Sequence, residues 1–532
     1  MFFVPPAVPV IEQIPLIQIV HEDDLILLSS PDAEWFRILN FLPWKDYRET
    51  AAQYYDALYD FNRIEALKRD EKASDTVSEP VESEEDAKKR LLSGRATVNR
   101  GTPVLYEPEF RTPAVRMTNP QEVAPGIVPF RSDGRKPKCF FALFKSFIGT
   151  SLAGLPPEPE NVHFLLTSNL SFARVCGFVP KEDSDQYWQE NVPGLRKLEQ
   201  FDQIMTEYGL WDHSKKNEVA QNIREEVIRK ESRIVGDTTH YNAFSGFETV
   251  IYEDEKGKEK KKSQSKVTKK CRCEDRENCC HPWELSDDGA GTIVKSTTKI
   301  IWGHKASIIG LPGQEIPLDA AAVSDAATYD GQTFFPHTVR LFEDFPEVRP
   351  WIDTALYDAA CCDQGLKDMF QKELNVVLMA SFNPRGKKDV TEDIPRGMEK
   401  ITPYGIPVCK GGHDMDYTGK RNDTGTFIYK APSDETGISV CLNCEHKQEC
   451  CPNSDTGRTI AVPFGVLPHI DHHDPPMAKR FREIMKKRTS VERMIKRLKC
   501  DLSDGRLTKR SNASFQAYLD KTMIAFHILL RN

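Results

Sequence analysis

Apolar residues recur at three- and four-residue intervals in CFFALFKSFIGTSL, VHFLLTSNLSFARVCGF and LRKLEQFDQIMTEYGLW, and that period predicts helices between Lys136 and Trp211. The stretch from Glu34 to Lys68 has the same spacing and predicts a small helical unit. Between them, DEKASDTVSEPVESEEDAKKR is charged and almost free of large apolar residues, the composition of a solvated linker or flexible helix. Strand patterning begins at ESRIVGDTT. It is lost in EDEKGKEKKKSQSKVTKKCRCEDRENCCHPW and resumes in TIVKSTTKIIWGHKASIIG and EIPLDAAAVS, which are β-branched and bounded by Gly and Pro. A helix near TVRLFEDF, a short apolar strand at WID, a helix across CDQGLKDMFQKEL and a strand at NVVLMAS follow. The alternation predicts an α/β fold with a mixed central sheet.

From Asn383 to about Pro476 the helical signal disappears, and short pieces such as TFIYKAP and TIAVPFGV predict a β-rich insertion containing cysteines. Two helices close the chain, a basic one from Met477 to Cys500 and then SFQAYLDKTMIAFHILL. In the basic helix Phe481, Ile484, Val491, Ile495 and Leu498 form an apolar stripe for packing on the sheet. The chain therefore divides into an N-terminal arm and helices (1–70), a charged linker (71–125), and a helical domain with DNA contact as one of its readings (126–228). The first part of the α/β domain follows (229–382, with a Cys-rich insertion at 251–290), then the β-rich insertion (383–475) and the closing helices (476–532).

The net charge of -8 argues against a nucleic-acid binder, but it is unevenly spread. From Pro476 onward fifteen Lys and Arg face five acids, which fits a phosphate-facing surface. No apolar run reaches the roughly eighteen residues of a membrane helix, so a soluble protein without a membrane partner is expected. The start, MFFVPPAVPVIEQIPLIQIV, is apolar but broken by prolines and reads as an extended packing arm. Twelve of the fourteen cysteines follow Ser245, mostly in CxC, CxxC or CC groups, a pattern of reduced thiols or zinc ligands in a cytoplasm.

Arg488, Glu492 and Lys499 in RTSVERMIKRLK fall within roughly 40° of one another on a 3.6-residue helix. A carboxylate framed by two cations suits metal-assisted chemistry on a phosphodiester, and such chemistry needs further carboxylates from other elements. Asp237 in RIVGDTTHYNA and Asp353 in RPWIDTALYDAA each follow a short apolar strand, so both are candidates. Taken alone, either would be a turn or helix cap. Thr238 reads as structural, and His240 and His304 as packed or surface residues.

VGDTT, WGHKASIIG, WIDTALYD and RTSVERMIKRLK, in that order, resemble the blocks of insertion-sequence transposases of the DDE type, in the branch with a Tyr-Arg-Glu-Lys signature. GRKPKCFFALFKSFIG through LSFARVCGF to GLRKLEQFDQIM is similar to the helical N-terminal domain of that family, so the resemblance runs from Lys136 to Asn532. It implies an RNase H-like catalytic domain in which Asp237, Asp353 and Glu492 hold Mg²⁺ or Mn²⁺. It also implies cleavage and strand transfer at the terminal inverted repeats of an element. Arg488 and Lys499, with Arg493 and Lys496, would contact DNA phosphates. Double-stranded DNA, as transposon ends and target, would be the partner of a homodimer in the synaptic complex, in a nucleoid-associated cytoplasmic protein.

The chain departs from the pattern in three places. Met485 stands at the signature's tyrosine. Tyr357 lies four residues after Asp353 where the family spacing is three, which leaves Asp358 as a rival second ligand. No Trp occurs between Asn383 and Pro476, so hairpin closure of transposon ends is not implied. A catalytically inactive, transposase-derived DNA-binding protein and a nuclease on the same fold are the alternatives.

The cysteines form two groups. CRCEDRENCCH offers Cys271, Cys273, Cys279, Cys280 and His281. CLNCEHKQECC offers Cys441, Cys444, Cys450 and Cys451, with Cys409 and His446 as additions. Each group is a candidate for structural zinc, because closely spaced thiolates can grip one tetrahedral ion; free thiols, or one ion bridging both groups, are the alternatives. HIDHHD, with His469, Asp471, His472, His473 and Asp474, reads as a polar turn before Pro475.

Overall fold

The computed structural model describes residues 82–98, 103–109, 140–178 and 192–531, less 255, 270, 272, 295–299, 384–386, 455, 468–469 and 472–474. The helical unit expected over Glu34 to Lys68 lies outside the described residues, as do His469, His472, His473 and Asp474.

Within the charged linker, EEDAKKRLLSGRATV forms helix α1 (Glu84–Val98) with three acids in its first turn, where the helix dipole favours them. FFALFKSFIGTSL carries too many apolar residues for one stripe, and α2 (Phe140–Leu152) is buried on every side. Its Lys145 turns inward and donates to the carbonyl of Val175 at 2.6 Å. Around it pack α3 (Pro159–Ser168), α4 (Leu170–Cys176), α5 (Leu195–Glu207) and α6 (Leu210–Arg224). Asn169 caps α4 by accepting from Phe172 N at 2.9 Å, and Gly177 ends it at φ 101°, a left-handed position that suits glycine.

The central sheet is built from β1 (Arg233–Asn242), β6 (Gly291–Val294), β7 (Ile300–Leu311), β8 (Ile316–Ala322), β9 (Thr354–Tyr357) and β10 (Val377–Ala380). Before β6 come a hairpin of β2 (Phe247–Glu253) with β3 (Glu259–Ser265) and a short ribbon of β4 (Val267–Lys269) with β5 (Trp283–Leu285). Strand order runs β10-β9-β1-β7, and the far side of β7 is shared by β6 and β8. β1, β9 and β10 are mutually parallel, while β7 is antiparallel to β1 and to both of its outer neighbours. The sheet is therefore mixed, as the alternation of elements predicts.

Two sequence expectations change here. The segment read as having lost its period contains the β2–β3 hairpin, whose strands alternate partly buried and exposed residues along β2 but carry lysines that masked the signal along β3. WID is not a strand, because Pro350 lies in a tight turn, Arg349–Trp351, and the strand starts only at Thr354.

Helix α7 (Phe334–Asp344) covers one face of the sheet, with its Phe334 ring 4.5 Å from that of Tyr357. Gly236 is required at that contact, since a Cβ there would stand 2.3 Å from the Phe334 ring. After β9, α8 (Gln364–Met369) leads to β10. The β-rich insertion follows as two small antiparallel sheets, β11 (Met398–Ile401) with β12 (Pro407–Cys409), and β13 (Asp416–Arg421), β14 (Thr426–Lys430) and β15 (Thr459–Pro463), around a core of their own.

The expected basic helix is a broken rod. It comprises α9 (Lys479–Met485), a tight turn (Lys486–Thr489), α10 (Ser490–Lys496) and a widened turn (Arg497–Asp501). Phe481, Val491 and Met494 bury themselves against Val235, Leu356 and Met379 on the sheet's second face, each worth about 1.5–3 kcal/mol. Met485 packs at the margin of this cluster as an apolar residue.

The last helix, α11 (Asn512–Leu529), inserts between the sheet and α2–α6. One hydrophobic core runs from Phe144 and Trp211 through Ile308 and Leu318 to Met523 and Phe526. Helices α2–α6 thus share their interior with the sheet, and Lys145 and Lys215 are spent inside it. Gln516 completes the joint, donating to Ala320 O at 2.9 Å and accepting from Ala322 N at 2.7 Å on β8, as a neighbouring strand would.

Candidate functional site

Parallel pairing sets Arg233 beside Thr354, Ile234 beside Ala355 and Val235 beside Leu356. Continued two residues, the same register brings Asp237 level with Asp358, whose backbone is still extended at φ -77° and ψ -172°. Neighbouring strands lie about 5 Å apart, so these two carboxylates are close neighbours. Tyr357 and Gly236 meet α7 on one side of the sheet, and Val235 and Leu356 meet α10 on the other, so Asp237 projects toward α10, while the Asp358 carboxylate beside it caps the following turn by accepting from the Ala360 amide at 2.8 Å.

Asp353 is not brought to this point. Its amide donates to Ser232 O at 2.9 Å, which places it beside the start of β1, five residues from the level of Asp237 and about 16 Å away at ~3.3 Å per residue. Its carboxylate accepts from the hydroxyl of its own neighbour, Thr354, at 2.7 Å. The turn forced at Pro350 delays the strand, and the residue that ends it is Asp358. The β-favouring run TALY after a proline was the sequence signal for that placement.

Glu492 arrives on α10, one residue after the buried Val491, at the same face. Arg488, a turn earlier, ties it to the sheet. Its Nη2 donates to Glu492 Oε1 at 2.6 Å, and its Nη1 lies 3.5 Å from Asp237 Oδ2. One guanidinium thus stands between the carboxylate of the central strand and that of the late helix.

Asp237 is pushed up to about 6, first by burial and then by the negative charges of Asp358 and Asp330, although the Thr238 amide and Arg488 pull the other way. The Thr238 amide donates to Asp237 Oδ1 at 2.8 Å, a structural bond at the rim. Asp330, which sequence reasoning did not single out, sits in a tight turn and pairs with Lys305 at 2.8 Å. Nothing in the one-dimensional pattern distinguished it from an ordinary turn aspartate. Beyond Gly331, Ala359 and Ala360 opens a groove of about 1200 Å³. Its wall carries Asp288, Asp325, Asp363, Asp368 and Glu373, with Lys372 as the cation among its lining residues, a charge balance opposed to phosphate.

The expected DNA-contacting cations separate into two kinds. Arg493 and Lys496 are largely exposed on α10, with ion pairs to Glu315 at 2.6 Å and to Asp501 at 3.9 Å. Lys499 instead turns back onto β1, where its Nζ donates to His240 O and lies 4.7 Å from the Tyr241 ring centroid. The widened turn at Arg497–Asp501 aims it there, so it braces the helix against the strand. His304 is buried and bonded to Asp287 at 3.1 Å, a packed histidine.

The two cysteine groups also differ. Ligand atoms of Cys271, Cys273, Cys279 and His281 all lie within 4.8 Å of one another, and the cluster could bind a metal such as zinc. Cys280 is exposed and is not one of them. In the β-rich insertion, Cys409, Cys441, Cys444, Cys450 and Cys451 line a cavity of about 20 Å³ without drawing into such a set. Asp471 of the HIDHHD stretch pairs with Lys367 at 2.9 Å. Among the described residues no helix is long and apolar enough to cross a membrane.

No protein-family model matches the chain, and no curated protein matches it.

Proposed function

We propose that this chain is a DNA transposase of the insertion-sequence DDE type, with an RNase H-like catalytic domain that cuts at the terminal inverted repeats of its element and joins the freed ends to target DNA. The observation that carries the reading is that Asp237 and Asp358 are neighbours at the ends of adjacent strands, and that Arg488 ties Asp237 to Glu492 on the late helix. The order of the parts supports it: a helical unit, a sheet carrying the first two acids, a cysteine-bearing β insertion, and closing helices carrying the third. In this reading Asp358 takes the role that the resemblance alone would give to Asp353.

The acids suit Mg²⁺ or Mn²⁺. They offer hard oxygen ligands, and the burial and like charge that raise Asp237 mark a surplus of negative charge that a cation would relieve. Bound there, divalent ions would supply activation of a water or 3′ hydroxyl and stabilisation of the leaving oxygen. Asp237, Asp358 and Glu492 would hold the ions. Arg488 keeps the helix acid aligned with the strand acid and offers its guanidinium to a phosphate at the rim. Arg493 and Lys496 add salt-dependent affinity along the backbone of double-stranded DNA. Joining two ends requires at least a homodimer on DNA, in a nucleoid-associated protein.

The test is the purified protein with DNA carrying both element ends, with and without Mg²⁺. Asp358→Ala should abolish cleavage and leave binding intact, while Asp353→Ala should still cut. Cleavage by Asp358→Ala would overturn the site, binding without cutting by the unaltered chain would favour a silent DNA-binding derivative, and cutting without joining a nuclease.

A further inference from the structure

The loop between β4 and β5 contains what a small metal knuckle needs and little else. β4 and β5 are three residues each, paired Val267 to Leu285, Thr268 to Glu284 and Lys269 to Trp283. A ribbon that short does not hold itself together in water. The loop it carries offers no hydrophobic staple, since its described residues between Cys271 and His281 are all exposed or half-exposed. Four donor side chains have nevertheless converged. Cys271 Sγ lies 3.4 Å from Cys279 Sγ, and Cys273 Sγ lies 3.5 Å from His281 Nδ1.

Those separations match a tetrahedron. Zinc holds sulfur at about 2.3 Å and imidazole nitrogen at about 2.0–2.1 Å, so neighbouring ligand atoms around it stand roughly 3.5–3.8 Å apart. The sequence delivers the donors as two alternating pairs, Cys271 with Cys273 and Cys279 with His281. Cys280, between Cys279 and His281, is exposed and is not among the converging donors. The turn joining the arms is fixed independently of the thiols. Asp275 accepts from the amides of Glu277 and Asn278 at 3.1 and 3.2 Å, and Lys269 donates to the carbonyls of Glu277 and Cys279 at 3.2 and 2.9 Å.

We propose that Cys271, Cys273, Cys279 and His281 bind one zinc ion in a closed Cys₃His site that is structural, with Cys280 excluded from it. Four protein ligands leave no open position for a reacting group, so the ion's work is to fold the β4–β5 ribbon. The ribbon in turn bears on the sheet. Ser286, next after β5, donates to Lys266 O at 2.7 Å, and Asp287 accepts from Ser245 at 3.0 Å, His304 at 3.1 Å and the Ser511 amide at 3.1 Å. The proposal is independent of the DNA reading, because it concerns folding of this loop and makes no use of the carboxylates.

The experiment measures zinc per chain in the full-length protein after gel filtration, for the unaltered chain and for Cys271→Ser, Cys280→Ser and His281→Cys. The unaltered chain, Cys280→Ser and His281→Cys should hold the same amount, and Cys271→Ser one equivalent less. With cobalt in place of zinc, His281→Cys should shift the visible absorption of the tetrahedral ion, because a thiolate replaces an imidazole, and Cys280→Ser should not. Equal metal in Cys271→Ser and the unaltered chain, loss of metal in Cys280→Ser, or a cobalt spectrum unmoved by His281→Cys would each overturn the proposal. His281→Cys retains four ligands, so the cobalt reading survives if Cys271→Ser fails to fold.

Discussion

Arg488 Nη1 stands 3.5 Å from Asp237 Oδ2, and the pair joins the central strand to the helix that carries Glu492. Asp237 is nevertheless raised to about 6 from an ordinary value of 3.8, through burial first and then the charges of Asp358 and Asp330, against the pull of the Thr238 amide and Arg488. A carboxyl raised by folding stabilises the fold below its unfolded value, and that contribution is lost as pH rises through the folded value. In chelator, Asp237→Asn should therefore melt higher than the unaltered protein above pH about 6, with the gap closing toward pH about 4. Mg²⁺ should reverse the order by stabilising only the unaltered chain. Thermal melts across pH, with and without Mg²⁺, check this, and a variant that melts lower at high pH in chelator contradicts it.

Lys499 and Lys496 lie on neighbouring turns, yet their environments give them different tasks. Lys499→Ala should lose the contact with Tyr241 and the bond to His240 O, lowering stability by about 1–3 kcal/mol. It should leave the salt dependence of DNA binding unchanged. Lys496→Ala should do the reverse, leaving the denaturation midpoint in place and reducing the salt slope by about one. Denaturant titration beside binding isotherms at several salt concentrations separates the two.

The contrast between these lysines shows where the sequence could and could not be read. Helical periodicity located Phe481 and Val491 on the buried face of α9 and α10 and Leu498 in the widened turn beyond, because they repeat at a spacing fixed by backbone geometry. The outward or inward course of Lys499 depends on a widened turn, which no local pattern announces. The acid that lies beside Asp237 was hidden for a related reason. Asp353 follows an apolar pair and looks like a strand end, but strand register is a long-range property, and only the pairing of β9 with β1 identifies Asp358 as the neighbour of Asp237. The cysteines were legible as a group, whereas the choice of His281 over Cys280 needed the direction of each side chain.

Lys215 is fully buried among three carboxylates, at 2.6 Å from Asp319, 2.9 Å from Asp212 and 3.2 Å from Asp520. It joins α6, β8 and α11, and so the helical unit to the sheet. Lys215→Met keeps most of the volume and leaves Arg340 facing Asp212 and Asp319, but takes from Asp520 the cation paired with it, which should cost about 3–5 kcal/mol. Burial already pushes Asp520 up to about 6 against the pull of Lys215, so without that cation it should take up a proton more readily as pH falls. The stability gap between variant and unaltered chain should be widest near pH ~8 and narrower near pH ~5. Melting curves at the two values read it directly, and a gap that does not change with pH contradicts the charge argument.

The spacing between the sheet and α10 is set by a residue with no side chain. A Cβ on Gly310 would stand 2.4 Å from the carbonyl oxygen of Ile316 and 2.6 Å from the sulfur of Met494. The methionine can swing aside, but the carbonyl belongs to β8, where Leu311 pairs with Ile316, and cannot move without opening the sheet. Gly310→Ala should therefore destabilise the protein by about 1–3 kcal/mol, and adding Met494→Ala should not restore it. The same displacement should reach the site, because Glu492 lies two residues before Met494 on α10 and is tied to Asp237 through Arg488. The Mg²⁺-dependent rise in melting temperature should shrink in Gly310→Ala by more than the loss of stability explains. Full rescue by Met494→Ala would instead mean that the methionine alone sets the distance between helix and strand.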